Sequence, residues 1–198
     1  MHPSGIAYRL LTGTEAAASE DDLLALDREV YPDADHERRA RQRNVWRRQP
    51  GFALAEARHG GYLVGYAAGM PLRPSTSWWR DLTTPLPPDL TAEHPGRTFA
   101  LTELEVRASW RRQGIGRELH DLILAGRTEE RATVTAAPDA AAAQAAFRGW
   151  GWRKVARTRT EDDPDQVRDV LLTALPQSTA NDVPFPHRRE QAQNANID

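Results

Sequence analysis

The sequence predicts an α+β fold of three layers, with helices on a central sheet, in a single domain over residues 1–175. Three observations predict it. Phe99 to Val106 is an apolar, β-compatible run that passes through a glycine-containing turn into a pattern with Ile115, Leu119, Leu122 and Ile123 on one helical face. Phe52 to Ala57 and Tyr62 to Gly69 are strand-like runs joined around Gly60-Gly61, a dipeptide that accepts the positive φ angles of a tight hairpin. Along the chain the patterns read β-α-α-β-β-β-α-β-α-β-β.

Taken in order, Ile6 to Leu11 reads as a first strand, ended by Gly13. Ser19-Glu20-Asp21-Asp22 resembles a capping box, and Leu23, Leu26 and Val30 supply the apolar stripe of a helix that Pro32 stops. A second helix, from about Asp35 to Arg48, carries Arg38, Arg39, Arg41, Arg43, Arg47 and Arg48. It reads as a solvated face with Trp46 turned to the core; the competing reading is a surface for an acidic or nucleic-acid partner. After the hairpin, Pro71 to Gly96 carries Pro74, Pro85, Pro87, Pro88 and Pro95 together with Trp78-Trp79, and is expected to be irregular. Long connections of that kind are often lids, so the two tryptophans are expected either to wall an acceptor pocket or to pack against the hairpin.

Beyond the central strand and helix, Ala132 to Ala136 reads as a short strand and Ala140 to Arg148 as an alanine-rich helix closed by Gly149-Trp150-Gly151-Trp152. Strands over Arg153 to Thr160 and Val167 to Leu175 follow, separated by the acidic turn 161–165. Residues 176–198 are polar, with little to bury, and are expected to form a disordered tail.

Composition narrows the function. A formal charge of −2 argues against dedicated nucleic-acid binding. No apolar run reaches membrane-spanning length and the N-terminus lacks the features of a secretion signal, so a cytoplasmic location without membrane contact is expected. Cysteine is absent, which excludes disulfides, thiolate metal sites and an acyl-cysteine intermediate. No metal is expected, and a homodimer is left open.

The turn before the Ile115 helix is the chemically informative stretch. A helix start exposes unpartnered N–H groups and positive partial charge. Gly114 and Gly116 leave that backbone bare, and Arg111, Arg112 and Arg117 add donors, so phosphate is the expected guest. Gly-x-x-x-x-Gly-Lys-Ser/Thr is absent, and Leu119 breaks Gly-x-Gly-x-x-Gly. Arg111-Arg112-Gln113-Gly114-Ile115-Gly116 instead resembles the Q/R-x-x-G-x-G/A motif of the GCN5-related N-acetyltransferases (GNAT), preceded by Leu104-Glu105-Val106 where that family ends its Leu-x-Val strand.

The resemblance covers Phe99 to Trp152 well, and Ile6 to Leu175 by order of elements. It implies a mixed central sheet of six to seven strands with about four helices, and acetyl-CoA as co-substrate. Leu104, Glu105 and Val106 would lend backbone to the pantetheine arm. Arg111, Arg112, Gln113, Gly114, Ile115, Gly116 and Arg117 would hold the diphosphate. It further implies direct acetyl transfer to a primary amine, here expected on a small molecule; a protein acceptor and a non-catalytic acyl-CoA-binding role are the alternatives.

Glu103 and Glu105 lie in the central strand, where a carboxylate is costly unless paired or protonated. Arginines could satisfy them. Alternatively, a buried carboxylate with a raised pKa could take the proton of an acceptor ammonium. The family's acidic residue three before the Val falls on Glu103, the expected base, and the Val106 amide is the implied oxyanion donor. Two positions depart from the family: Phe147 stands where a tyrosine usually serves as general acid, and Ala140 where an asparagine is common. Tyr62 or Tyr66 could replace that tyrosine.

Overall fold

The computed structural model describes residues 5–159 and 166–175. The expected acidic turn and tail lie outside them. The strands are β1 (Ile6–Thr12), β2 (Ala53–His59), β3 (Tyr62–Pro71), β4 (Thr98–Val106), β5 (Arg131–Ala136), β6 (Arg153–Arg159) and β7 (Val167–Ala174). The helices are α1 (Glu20–Val30), α2 (His36–Trp46), α3 (Pro88–Thr91), α4 (Ile115–Leu124) and α5 (Ala141–Gly149). One seven-stranded sheet runs β1-β2-β3-β4-β5-β7-β6. Only β4 and β5 pair in parallel, so the sheet is mixed.

Apolar side chains divide over two faces. Phe99, Leu101, Ile115, Leu119, Ile123, Phe147 and Trp152 bury the sheet under α4 and α5. On the other face Leu23 and Leu26 of α1 pack on Leu54, Leu63 and Tyr66. The β2–β3 hairpin turns at Gly60 and Gly61 with φ of 55° and 86°, the positive pair that a two-residue turn requires.

Three local expectations change. Ser19 precedes α1 without capping it: its hydroxyl donates to Glu56 Oε2 at 3.0 Å, and a 3₁₀ turn over Glu15–Ser19 runs straight into the helix. The segment between β3 and β4 contains α3 rather than being wholly irregular. Within it Trp79 is buried with Leu72, Ala100, Ala156 and Val170, its Nε1 donating to a Glu93 carboxylate oxygen at 3.0 Å, and Trp78 Nε1 donates to Thr133 Oγ1 at 3.2 Å. The tryptophans are therefore packing residues, and they pack against β4, β6 and β7 rather than against the hairpin.

A bulge in β4 positions the site. Ala68 pairs with Glu103 and Gly69 with Leu101, which leaves Thr102 as the extra residue. Its Oγ1 donates to the Ala68 carbonyl at 3.0 Å. The added residue reverses the alternation, so Leu104 and Val106 continue the α4 face that Phe99 and Leu101 began, while Glu103 and Glu105 turn toward α2.

Candidate active site

The ladder between β4 and β5 ends at Leu101↔Val134, although β4 continues to Val106. The Arg107 amide donates to the Val64 carbonyl of β3 at 2.9 Å. Backbone direction alternates along a strand, so the N–H and C=O groups of Leu104 and Val106 face the opposite edge, where β5 has diverged. The Glu105 backbone faces β3, opposite Tyr66, and what Glu105 brings to the site is its side chain. Leu104 and the Val106 amide thus present an open backbone edge of the sort an extended arm can pair with, the Val106 carbonyl being taken by Arg111 Nε.

From Val106 the chain passes through a 3₁₀ turn at Ala108–Trp110 into α4. Arg112 and Gly114 both adopt left-handed φ, 59° and 87°. This curl leaves the amides of Arg112, Gln113, Gly114, Ile115 and Gly116 with no backbone acceptor among the described residues, whereas those of Arg117 and Glu118 return to the Gly114 carbonyl. Arg111, Arg112 and Arg117 are exposed around these amides. Arg111 Nε donates to the Val106 carbonyl at 2.8 Å, tying turn to strand, and Arg117 Nε donates to Asp121 at 2.6 Å. Gln113 folds onto the Ser109 carbonyl, and the Ile115 side chain is buried, so Ile115 has only its amide to offer a ligand. A Cβ on Gly116 would meet nothing closer than Val106 Cγ2 at 3.8 Å. Free amides, helix dipole and guanidiniums together suit a diphosphate, and the adjoining strand edge suits the amide-bearing arm of coenzyme A.

On the opposite face of β4 the two glutamates enter a charged cluster. Arg43, only 1% exposed, donates to Asp27 and to Glu103 Oε1, each at 2.9 Å, to Tyr66 Oη at 3.0 Å and to Glu20 at 3.3 Å. Arg39, 28% exposed, reaches Glu105 Oε1 at 2.5 Å, Glu103 Oε1 at 3.3 Å and Asp27 Oδ2 at 3.4 Å. Two of the arginines read as a solvated face therefore turn inward, and arginines do pair with both glutamates. Arg39 and Arg43 are the site residues that sequence reasoning missed; their i, i+4 spacing puts them on one helix face, but Arg43 and Arg47 share that spacing, so it does not single them out.

Burial is the largest influence on both glutamates and raises their carboxyls. It outweighs the arginine charges, so that Glu105 is pushed up to about 8, with Glu103 and Asp27 adding repulsion. Asp27 goes the other way: burial would raise it, but Arg43, Arg39 and the Tyr66 hydroxyl hold it below the usual range. Four carboxylates, Glu20 at the margin included, thus face two guanidiniums, and burial raises the carboxyls of two of them, Glu103 and Glu105.

Of the two tyrosines offered as a substitute acid, Tyr66 is buried and its hydroxyl is committed to Asp27 Oδ1 at 2.9 Å, while Tyr62 is exposed with its ring 4.4 Å beneath the Arg107 guanidinium. Phe147 is core, edge-on to Trp150 and Trp152. Tyr31 stands at the rim instead: its ring lies 4.8 Å from the Arg39 guanidinium, and its hydroxyl is raised by burial and by the Glu105 charge. Beside the turn, Trp152 Nε1 donates to His120 Nε2 at 2.9 Å, which leaves Nδ1–H of a neutral His120 to donate to Asp121.

The profile of the family described as "Acetyltransferase (GNAT) family" matches residues 6–152. No curated protein matches the chain in sequence. Among solved structures, the chain resembles the ribosomal-protein-S18-alanine N-acetyltransferase from Escherichia coli at 12% identity and a TM-score of 0.60, over 89% of this chain and 97% of that one. It resembles NAA60 of Arabidopsis thaliana, solved with a bisubstrate analogue, at 13% identity and a TM-score of 0.63, over 87% and 99%. An aminoglycoside 6'-N-acetyltransferase complexed with coenzyme A is similar at 14% identity and a TM-score of 0.59, over 86% and 97%. At these identities the likeness is one of fold. Among the described residues no helix is long and apolar enough to cross a membrane, and no cluster of His, Cys, Asp or Glu suited to a metal occurs.

Proposed function

Because this chain belongs to the acetyltransferase (GNAT) family, we propose that it transfers an acetyl group directly from acetyl-CoA to a primary amine of a small molecule. The observation that carries the reading is the junction of β4 and α4: an open strand edge at Leu104 and Val106 next to the free amides of residues 112–116. When bound, acetyl-CoA supplies a thioester carbonyl open to attack by an amine. Residues 111–117 hold its diphosphate, and the backbone of Leu104 and Val106 aligns the arm.

The chain's own chemistry is proton removal. An ammonium must lose a proton before its nitrogen can attack, and in this reading the Glu103–Glu105 pair receives it. Glu103 is the member fixed by Arg43; Glu105 is the member whose raised carboxyl matches a base working near neutral pH. The Val106 amide, turned to the open edge, is a donor for developing charge on the carbonyl oxygen. Phe147 has no proton to give, so the departing thiolate takes one from solvent or from Tyr31 at the rim.

Coenzyme A release, followed over a panel of diamines, aminoglycosides and peptide N-termini, tests the proposal. Amine-dependent release with the small molecules supports it, and Glu103→Gln and Glu105→Gln are expected to lower kcat by about 10²–10⁴. Release only with peptides would move the acceptor to proteins. The burial of Phe147 at the tyrosine position favours a second reading, an acyl-CoA-binding protein without transfer, which predicts acetyl-CoA binding but no release with any amine.

A further inference from the structure

The two arginines of the acidic cluster are held very differently. Arg43 is enclosed, with Nε, Nη1 and Nη2 all engaged. Arg39 lies at the edge under the half-exposed Tyr31 ring, and a single nitrogen, Nη2, serves both Glu103 and Glu105. Each of those glutamates keeps a second oxygen, Oε2, that is buried without a hydrogen-bond partner among the described residues. Two orphaned acceptors on side chains more than nine-tenths buried, in a cluster where Asp27, Glu103, Glu105 and Glu20 outnumber two guanidiniums, are under-supplied with donors. An ammonium brings three N–H donors from a compact centre, where the Arg39 fork brings one to this pair.

We propose that Arg39 is a displaceable internal cation, occupying the place of the acceptor's ammonium and exchanging with it on the Glu103–Glu105 pair. The exchange conserves charge in the buried cluster. Arg39 leaves as an incoming cation arrives, swinging out past Tyr31 into water, while Arg43 keeps Glu103 and Asp27 in place. Affinity for the acceptor is then reduced by the interaction that Arg39 must give up, which makes Arg39 a specificity-determining residue. Cations that fill the donor deficit compete with it, and neutral molecules of the same shape do not. The inference rests on the proposed reading of this cluster as the acceptor side of an acetyltransferase.

Calorimetric titration with 1,4-diaminobutane, on the wild-type chain and on Arg39→Gln, tests it. Arg39→Gln is expected to bind the diamine about ten-fold more tightly or better, with acetyl-CoA affinity unchanged. Equal or weaker diamine binding by the variant, or binding by neither chain, overturns it. In the wild-type chain, labelling with an arginine-selective dicarbonyl read by peptide mass spectrometry gives a second measure that does not depend on the variant's folding. The diamine should accelerate modification of Arg39 and leave Arg43 unmodified; no acceleration at Arg39 contradicts the exchange. Acetyl-CoA titrated into the same wild-type sample separates the two claims, since absence of heat there defeats the acetyltransferase reading while the diamine result still decides the fate of Arg39.

Discussion

At the scale of the residue, Glu105 ties charge to stability. Its carboxyl is pushed up from an ordinary 4.5 to about 8 in the fold, so the folded chain binds a proton there more tightly than the unfolded chain does. By linkage, that contribution to stability is complete below about 4.5 and is lost as the pH rises through about 8. His120, whose pKa burial lowers, acts in the opposite sense around the ordinary histidine range, and the difference between wild type and Glu105→Gln cancels it. Denaturant unfolding of both chains from pH 5 to 9 should show the variant gaining on wild type as the pH rises; a constant difference would mean that Glu105 titrates normally. Two carboxylates inside an apolar strand were legible in the sequence as an anomaly that needed a reason. Their partners were not legible, because Arg39 and Arg43 sit in a helix charged almost all round, and nothing local distinguishes the arginines that a neighbouring strand will claim. The bulge at Thr102, which aims both glutamates at that helix, also has no local signature.

At the scale of the element, the strand–turn–helix from β4 to α4 was readable because each part carries its own signal: an apolar run, glycines at 114 and 116, and a helical stripe from Ile115. Most helix and strand positions agree with expectation to within a residue or two, since periodicity fixes existence better than ends. The connection from β3 to β4 was left between two roles, pocket wall and packing, and its tryptophans take the second, against strands other than the hairpin. Proline spacing says only that the segment is not regular, and it says nothing of where two tryptophans point. Their burial against Ala100 and Val170 makes a concrete prediction: Trp79→Ala should destabilise the fold by about 3–5 kcal/mol while leaving acetyl-CoA and amine affinities of the folded protein unchanged. Thermal unfolding together with ligand titration checks both halves, and a loss of amine affinity without loss of stability would restore the lid.

At the scale of the molecule, the mixed sheet puts the two features on which the proposed function rests on the faces and edge of one strand. The edge of β4, freed where β5 diverges, runs into the turn of free amides, and its α2-side face carries the carboxylates. In the proposed function, separating binding on one side from proton removal on the other lets a single strand bring a thioester and an amine together. The central claim is that this junction grips the diphosphate arm of a coenzyme A thioester. It is tested most directly by titrating acetyl-CoA calorimetrically into the wild-type chain and into Gly114→Val, whose side chain would strain a left-handed φ of 87° and cover the free amides. Saturable 1:1 binding by wild type, weakened about ten-fold or more in a variant that still unfolds cooperatively, is the predicted result. No heat with wild type, or equal affinity in the two chains, would contradict the account.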